Sequence, residues 1–303
     1  MDLSALKSDI QSALPALDLR KGELLSRHCS FRIGGPAALM ALPASTDELM
    51  ALCALLRSKG HAPFIMGNGT NLLFPDEGLD RMVIKLCPNL SDVTVSGNII
   101  TAGAGATLAK TASAALNAGL TGLEFAHGIP GSVGGGVVMN AGAYGGELKD
   151  CVTATDCLDE NLKLRTLRGE EHQFSYRHSI LSEKDWIVLR SQFTLTRGDR
   201  DAISDRMQEL AAKRRASQPL DMPSAGSTFK RPAGGFAAAL IDEAGLKGFS
   251  IGGAQVSPKH AGFVVNTGDA SCEDVLRLMD HIRNTVRARS GIELEPEVRI
   301  IGR

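Results

Sequence analysis

The chain has 303 residues, with 33 lysines and arginines against 34 aspartates and glutamates, and 43% of its side chains are apolar. The net charge of −1 argues against the broad basic surface of a nucleic-acid binder, and the length suffices for two or three domains with their own cores. No stretch reads as a signal peptide or a membrane helix, so a cytoplasmic protein without membrane insertion is expected. The cysteines (Cys29, Cys53, Cys87, Cys151, Cys157, Cys272) form no C-x-x-C pair, and the histidines lack H-E-x-x-H spacing. Buried thiols are expected, and no metal site.

Ser45 and Glu48 have capping-box spacing and predict a helix whose apolar face is Leu49, Leu52, Leu55 and Leu56, ending at Gly60. "APFIM" is a short strand that runs into "GNGTN" (67–71), and "RMVIKL" (81–86) is the next strand. "VTVSGNIITAGA" (93–104) reads as a hairpin turning at Gly97-Asn98, followed by a small-residue helix over 108–118. Then comes "GIPGSVGGGVVMNAGAYGGE" (128–147), with eight glycines in twenty positions. Such a segment needs positive φ or the close approach of another molecule to its backbone, and a bound anion or ring system that partners its N–H groups is expected rather than a long surface loop.

"WIVLRSQFTL" (186–195) is another strand, and the "TRGDRD" that follows marks a composition shift taken as a domain boundary. Ile203, Met207, Leu210 and Ala211 then recur at helical spacing, up to Gln218-Pro219. A last helix starts near Ser271 with Val275, Leu278, Ile282 and Val286 on one face. "ELEPEVRII" closes the chain as a strand, at a sheet edge if Pro296 lies within it. The mixture predicts an α+β fold.

Two common phosphate-binding signatures fail. No glycine leads a G-K-[ST] sequence, and Gly67-x-Gly69 has Leu72 where the dinucleotide fingerprint needs its third glycine. What remains is a strand ending in G-x-G-T-N, whose amides and Thr70 hydroxyl suit a pyrophosphate.

Seven segments occur in one order: "SFRIGGPA" (30–37), "GNGTNLL" (67–73), the glycine segment, "YRHS" (176–179), "AGSTFKRP" (225–232), "AGLKGFSIGGAQVSPKHAGFVVN" (244–266) and "EPEVRIIG" (295–302). From about Ser30 onward the chain resembles the UDP-N-acetylenolpyruvoylglucosamine reductases, flavoenzymes of peptidoglycan precursor synthesis. The resemblance implies a two-part flavin module of the PCMH/vanillyl-alcohol-oxidase type, residues 1–86 with an N-terminal helix and 87–197. It also implies a C-terminal α+β substrate-binding domain, 198–303. Non-covalent FAD would be held by Gly67, Asn68, Gly69, Thr70, Asn71 and Leu72, and by Gly128, Ile129, Pro130, Gly131, Ser132, Gly134 and Gly135. NADPH and UDP-N-acetylglucosamine enolpyruvate are the expected partners of a monomer.

By the same resemblance the reaction reduces an enolpyruvyl ether to a lactyl ether. Negative charge develops toward the substrate carboxylate, and a proton must reach carbon, so the site needs an electrophilic clamp and a proton donor. Arg177 in "YRHS" matches the clamp, Ser227 in "AGSTFK" the donor, and Glu297 in "EPEVR" the catalytic glutamate, protonated or sharing a proton. Glu295 is its neighbouring rival.

Asn140, Tyr144, Lys230, Arg231, Gln255 and Lys259 are the expected substrate contacts, and His127 and His260 are expected to be structural. Thr70 stands where relatives often have serine, Arg231 where they often have asparagine, and Ser217 where they often have lysine. With no tyrosine after Tyr176, the chain resembles the shorter type without a mobile tyrosine loop. A flavin oxidase of another substrate and a non-catalytic nucleotide-binding regulator stay open as alternatives.

Overall fold

Ser45 Oγ accepts from the backbone N–H of Glu48 (3.1 Å), and the Glu48 carboxylate reaches back to the N–H of Ala44 (2.6 Å). The helix Thr46–Ser58 starts on these two satisfied donors and buries Leu49, Leu52 and Leu56. The computed structural model describes residues 3–302 apart from position 234. In it the chain forms two units, each assembled from separated stretches of sequence.

The first unit comprises Met1–Lys21, Leu39–Asn68 and Arg81–Arg214. The larger part of one sheet belongs to it, in the strand order Asp18–Leu24, Pro36–Leu42, Leu79–Lys85, Phe64–Met66, the last two parallel with Phe64 opposite Val83. The other is antiparallel, in the order Leu164–Arg168, Val152–Leu158, Ile187–Thr194, Ile99–Gly103, Val93–Ser96. Its edge hairpin turns at Gly97-Asn98 as expected, with Ser96 opposite Ile99. The core joins Leu52, Leu56 and Ile84 with Ile100, Val137, Phe193, Met207 and Leu210. The last two come from the helix Arg200–Ser217.

The second unit comprises Gly22–Ala38, Gly69–Asp80 and Arg215–Arg303. Its antiparallel sheet is Ser250–Ile251, Ala254–Val256, Val264–Asn266. The helix Cys272–Ser290 packs on this sheet with Val275, Leu278, Met279, Ile282 and Val286 buried. Ser271 and Asp274 cap it reciprocally (3.0 and 3.1 Å), and Gly291 ends it in the left-handed conformation.

The expected C-terminal strand is shorter than its apolar pattern suggests. Only Arg299–Ile300 is strand, parallel to Leu72–Leu73. Pro296 has no N–H to donate and forms a single bridge with Phe229. All six cysteines are buried and free. Among the described residues no helix is long and apolar enough to cross a membrane, and no histidine, cysteine or carboxylate cluster suits a metal ion.

Candidate active site

In the first unit, Gly67 follows the strand Phe64–Met66 and lies against the buried Ser132. A Cβ on Gly67 would stand 2.1 Å from Ser132 Oγ, which caps the helix Val133–Val138 by accepting from Gly135 N–H (3.3 Å). Beside Asn68 is a cavity of about 280 Å³ lined by Asn68, Lys85, Cys87, Pro88, Ser91, Gly105, Thr107 and Lys110. Gly105 is needed there, because a Cβ would stand 1.8 Å from Asn89 O. Two lysines and several neutral polar groups fit the phosphate-bearing part of a nucleotide. The volume is just under the range of about 300–1,000 Å³ usual for a whole ligand, so it suits one portion of FAD.

The glycine segment departs from expectation in its amides. The N–H groups of Gly131, Val133, Gly134, Gly135, Gly136 and Ala141 all have partners within the chain. Packing is what demands glycine. A Cβ on Gly134 would stand 3.0 Å from Ala104 Cβ, and one on Gly146 2.5 Å from the Phe125 ring. Gly128, Ile129 and Gly131 are half-buried, Ser132 and Gly134 buried, and Pro130 and Gly135 exposed. Any ligand here meets edges of a tightly packed backbone rather than a row of open amides.

Downstream, Gly142–Ala143 and Gly146–Glu147 form a two-residue-loop hairpin. Tyr144 (φ 54°) and Gly145 (φ 88°) are both left-handed at its tip, as a type I′ turn requires, so the Tyr144 ring projects outward, 40% exposed. Asn140 is fully buried. Its amide donates to Glu147 Oε2 and Ser175 O (2.9 Å each) and accepts from Lys149 N–H (2.9 Å). These bonds join the glycine segment to the loop carrying Arg177, which is left-handed (φ 56°) and reaches Gly142 O at 3.3 Å. Hydrogen bonding to Lys149 holds the Glu147 carboxyl below its ordinary range.

The sequence reading missed Arg214. It packs beside Gly128, whose Cβ would lie 3.4 Å from Arg214 Cδ, and burial lowers its pKa while the nearby Tyr144 oxygen opposes that. Among the described residues its side chain makes no hydrogen bond or ion pair. A signal existed: Arg214 continues the stripe Ile203, Met207, Leu210 at helical spacing, where another apolar residue belongs.

In the second unit, 227–230 runs antiparallel to 295–298. Lys230 N–H donates to Glu295 O (2.8 Å), Glu297 N–H to Thr228 O (2.8 Å), and Phe229 bridges Pro296. Ser227 and Glu297 therefore sit on neighbouring segments. Thr228 Oγ1 is tied to Val264 N–H (2.9 Å), whereas among the described residues the Ser227 hydroxyl has no hydrogen-bond partner. Glu295, the rival carboxylate, is paired with Lys230 Nζ.

Arg231 lies over the exposed Phe236 ring, 4.3 Å from its centroid. Gln255 Nε2 donates to Gly248 O (3.3 Å) and Ser250 Oγ (3.0 Å), and Lys259 Nζ to Arg215 O (2.6 Å). Gly69 is left-handed (φ 65°), and a Cβ there would stand 2.3 Å from His28 O. Asn71 bonds to the Glu297 backbone, and Leu72 is paired in the strand opposite Arg299. His260 Nδ1 accepts from Gly262 N–H (3.2 Å), and its ring stands against the edge of Phe263.

Comparison with known proteins gives two family matches. Residues 218–301 match the family described as UDP-N-acetylenolpyruvoylglucosamine reductase, C-terminal domain, and residues 37–192 match an FAD binding domain. A UDP-N-acetylenolpyruvoylglucosamine reductase of Caldanaerobacter subterraneus subsp. tengcongensis is 52% identical over 289 residues, spanning 94% of this chain and 95% of its own. One of Agathobacter rectalis is 48% identical over 314 residues, spanning 100% and 99%. The crystal structure of a UDP-N-acetylenolpyruvylglucosamine reductase from Thermus caldophilus is similar with a TM-score of 0.81 at 35% identity, covering 94% of this chain and 99% of that one.

Proposed function

Because this chain belongs to the UDP-N-acetylenolpyruvoylglucosamine reductase family, we propose that it reduces UDP-N-acetylglucosamine enolpyruvate to UDP-N-acetylmuramate, with NADPH as the hydride source. The FAD binding domain, over residues 37–192, carries the cofactor. When bound, FAD supplies the hydride chemistry, which no side chain here provides. Asn68, Lys85, Thr107 and Lys110 hold its phosphate-bearing part, and Gly128, Ile129, Pro130 and Gly131 meet its ring system at the edge of the glycine segment.

The chain's own groups handle the charge and the proton. Arg177 clamps the substrate carboxylate, where negative charge grows during reduction; a forked, permanently charged donor suits that task. Ser227 delivers the proton to carbon, and Glu297 lies on the adjacent segment to supply or relay it. Lys230 and Arg231 meet the UDP-sugar phosphates, and Tyr144 covers the substrate from its hairpin tip. Arg214, desolvated beside Gly128, is a further contact for an anion. Asn140 braces the Arg177 loop rather than touching substrate, and Gln255 and Lys259 keep their internal bonds.

The observation that carries this reading is the Ser227 hydroxyl, which has no hydrogen-bond partner among the described residues, on the segment hydrogen-bonded to Glu297. Ser227→Ala tests it. Bleaching of the flavin by NADPH should stay within a few-fold of wild type. Reoxidation by the enolpyruvyl substrate should slow about 10²–10⁴-fold, the usual contribution of a positioned proton donor. Equal slowing of both halves would make the serine structural.

A further inference from the structure

Asn71 ends the "GNGTN" loop, and the sequence reading assigns it to the cofactor along with its neighbours. Its bonds point elsewhere. The side-chain Nδ2 donates to Glu297 O (3.1 Å), and the main-chain carbonyl accepts from Arg299 N–H (3.0 Å). The parallel pairs Leu72–Arg299 and Leu73–Ile300 continue the same alignment. From the opposite edge, Thr228 O takes the N–H of Glu297 (2.8 Å). Both backbone polar groups of Glu297 are thus engaged, the N–H by the segment carrying Ser227 and the C=O by Asn71. The Glu297 backbone is held from both sides, which sets the direction in which its Cα–Cβ bond leaves the chain.

We infer that Asn71 is a positioning residue for Glu297, tying the end of the glycine loop to the proton-handling segment. The role needs an amide. Aspartate has the same size but no hydrogen to give a carbonyl, and its charge would repel the Glu297 oxygen. The inference rests on the function proposed above, in which Glu297 takes part in the second half-reaction.

The test uses purified holoenzyme of wild type, Asn71→Asp and Asn71→Ala, each alone and combined with Glu297→Gln. Positioning predicts full FAD content, an FAD affinity within about threefold of wild type, and an unchanged rate of bleaching by NADPH. Reoxidation by the enolpyruvyl substrate should slow about tenfold or more, since small misplacements of reacting groups cost that much. In the Glu297→Gln background the Asn71 substitutions should add nothing, because the residue they misplace no longer carries its proton. Two variants are used so that one that fails to fold leaves the other informative.

A tenfold loss of FAD affinity would make Asn71 a cofactor ligand and overturn the inference. So would a loss that stays in full on top of Glu297→Gln. A wild type that reduces with NADPH but never turns over the enolpyruvyl substrate would overturn the proposed function, and this inference with it.

Discussion

Replacing Asn140 with alanine tests how the Arg177 loop is held. The substitution removes three hydrogen bonds from a residue with no solvent exposure: to Glu147 Oε2, to Ser175 O and from Lys149 N–H. A buried neutral bond is worth about 0.5–1.5 kcal/mol net, and one to a charged group about 1.5–3. Glu147 keeps Lys149 Nζ at 2.8 Å and is partly solvated, so its bond belongs at the low end of that range. Asn140 is also left-handed (φ 43°), a conformation costing about 1–2 kcal/mol for an ordinary residue, and less for asparagine. Together these predict a loss of about 4 kcal/mol, close to a thousandfold in the folded-to-unfolded ratio. Trp186, the only tryptophan, lies in the first unit with Asn140, so its fluorescence during urea unfolding reports this loss. A loss under about 1 kcal/mol would refute the brace and return Asn140 to the list of substrate contacts.

Truncating Arg231 to alanine should raise the KM for the enolpyruvyl substrate at least several-fold while bleaching by NADPH is unchanged; an unaltered KM would remove Arg231 from the site. His172 is fully buried, stacked on Phe174, and bonded to Thr155 Oγ1 (2.9 Å) and Gly169 O (3.0 Å). Burial lowers its pKa from the ordinary 6.5, so below that pH the unfolded chain binds a proton that the native chain refuses. Its contribution is therefore intact above about pH 6.5 and falls as the pH drops below it, by at most about 1.4 kcal/mol per pH unit. His172→Phe should flatten the difference between unfolding curves at pH 7.5 and 5.5, and an unflattened difference would assign the effect to other groups.

Where structure depends on neighbours in sequence, the sequence was legible. Ser45 with Glu48 places a helix start because a cap is a contact three residues long. Gly97-Asn98 places a hairpin for the same reason. The glycine segment was legible as a demand for glycine but not as to its cause. Ala104 and Phe125 stand 30 and 21 residues before Gly134 and Gly146, and they take up the space a side chain would need there. Pro296 shortened a strand whose apolar pattern looked adequate.

The candidate site was harder to see. Pairing 227–230 with 295–298 joins segments almost seventy residues apart, which no periodicity reveals, and the resemblance supplied those residues instead. Arg214 was visible as a charge on an apolar stripe and went unread, because an arginine at a helix end ordinarily faces solvent. The two units, each built from interleaved stretches, leave no mark in local composition.

The central claim is that this chain passes hydride from NADPH to an enolpyruvyl UDP-sugar by way of FAD. It is tested most directly by the anaerobic visible spectrum of the purified protein, recorded alone, after one equivalent of NADPH, and after the enolpyruvyl substrate. The account predicts a flavin spectrum that NADPH bleaches and the substrate restores, with UDP-N-acetylmuramate formed in equal amount and FAD released intact by acid precipitation. A protein that binds no FAD, or a bleached flavin that the enolpyruvyl substrate leaves reduced, would contradict it.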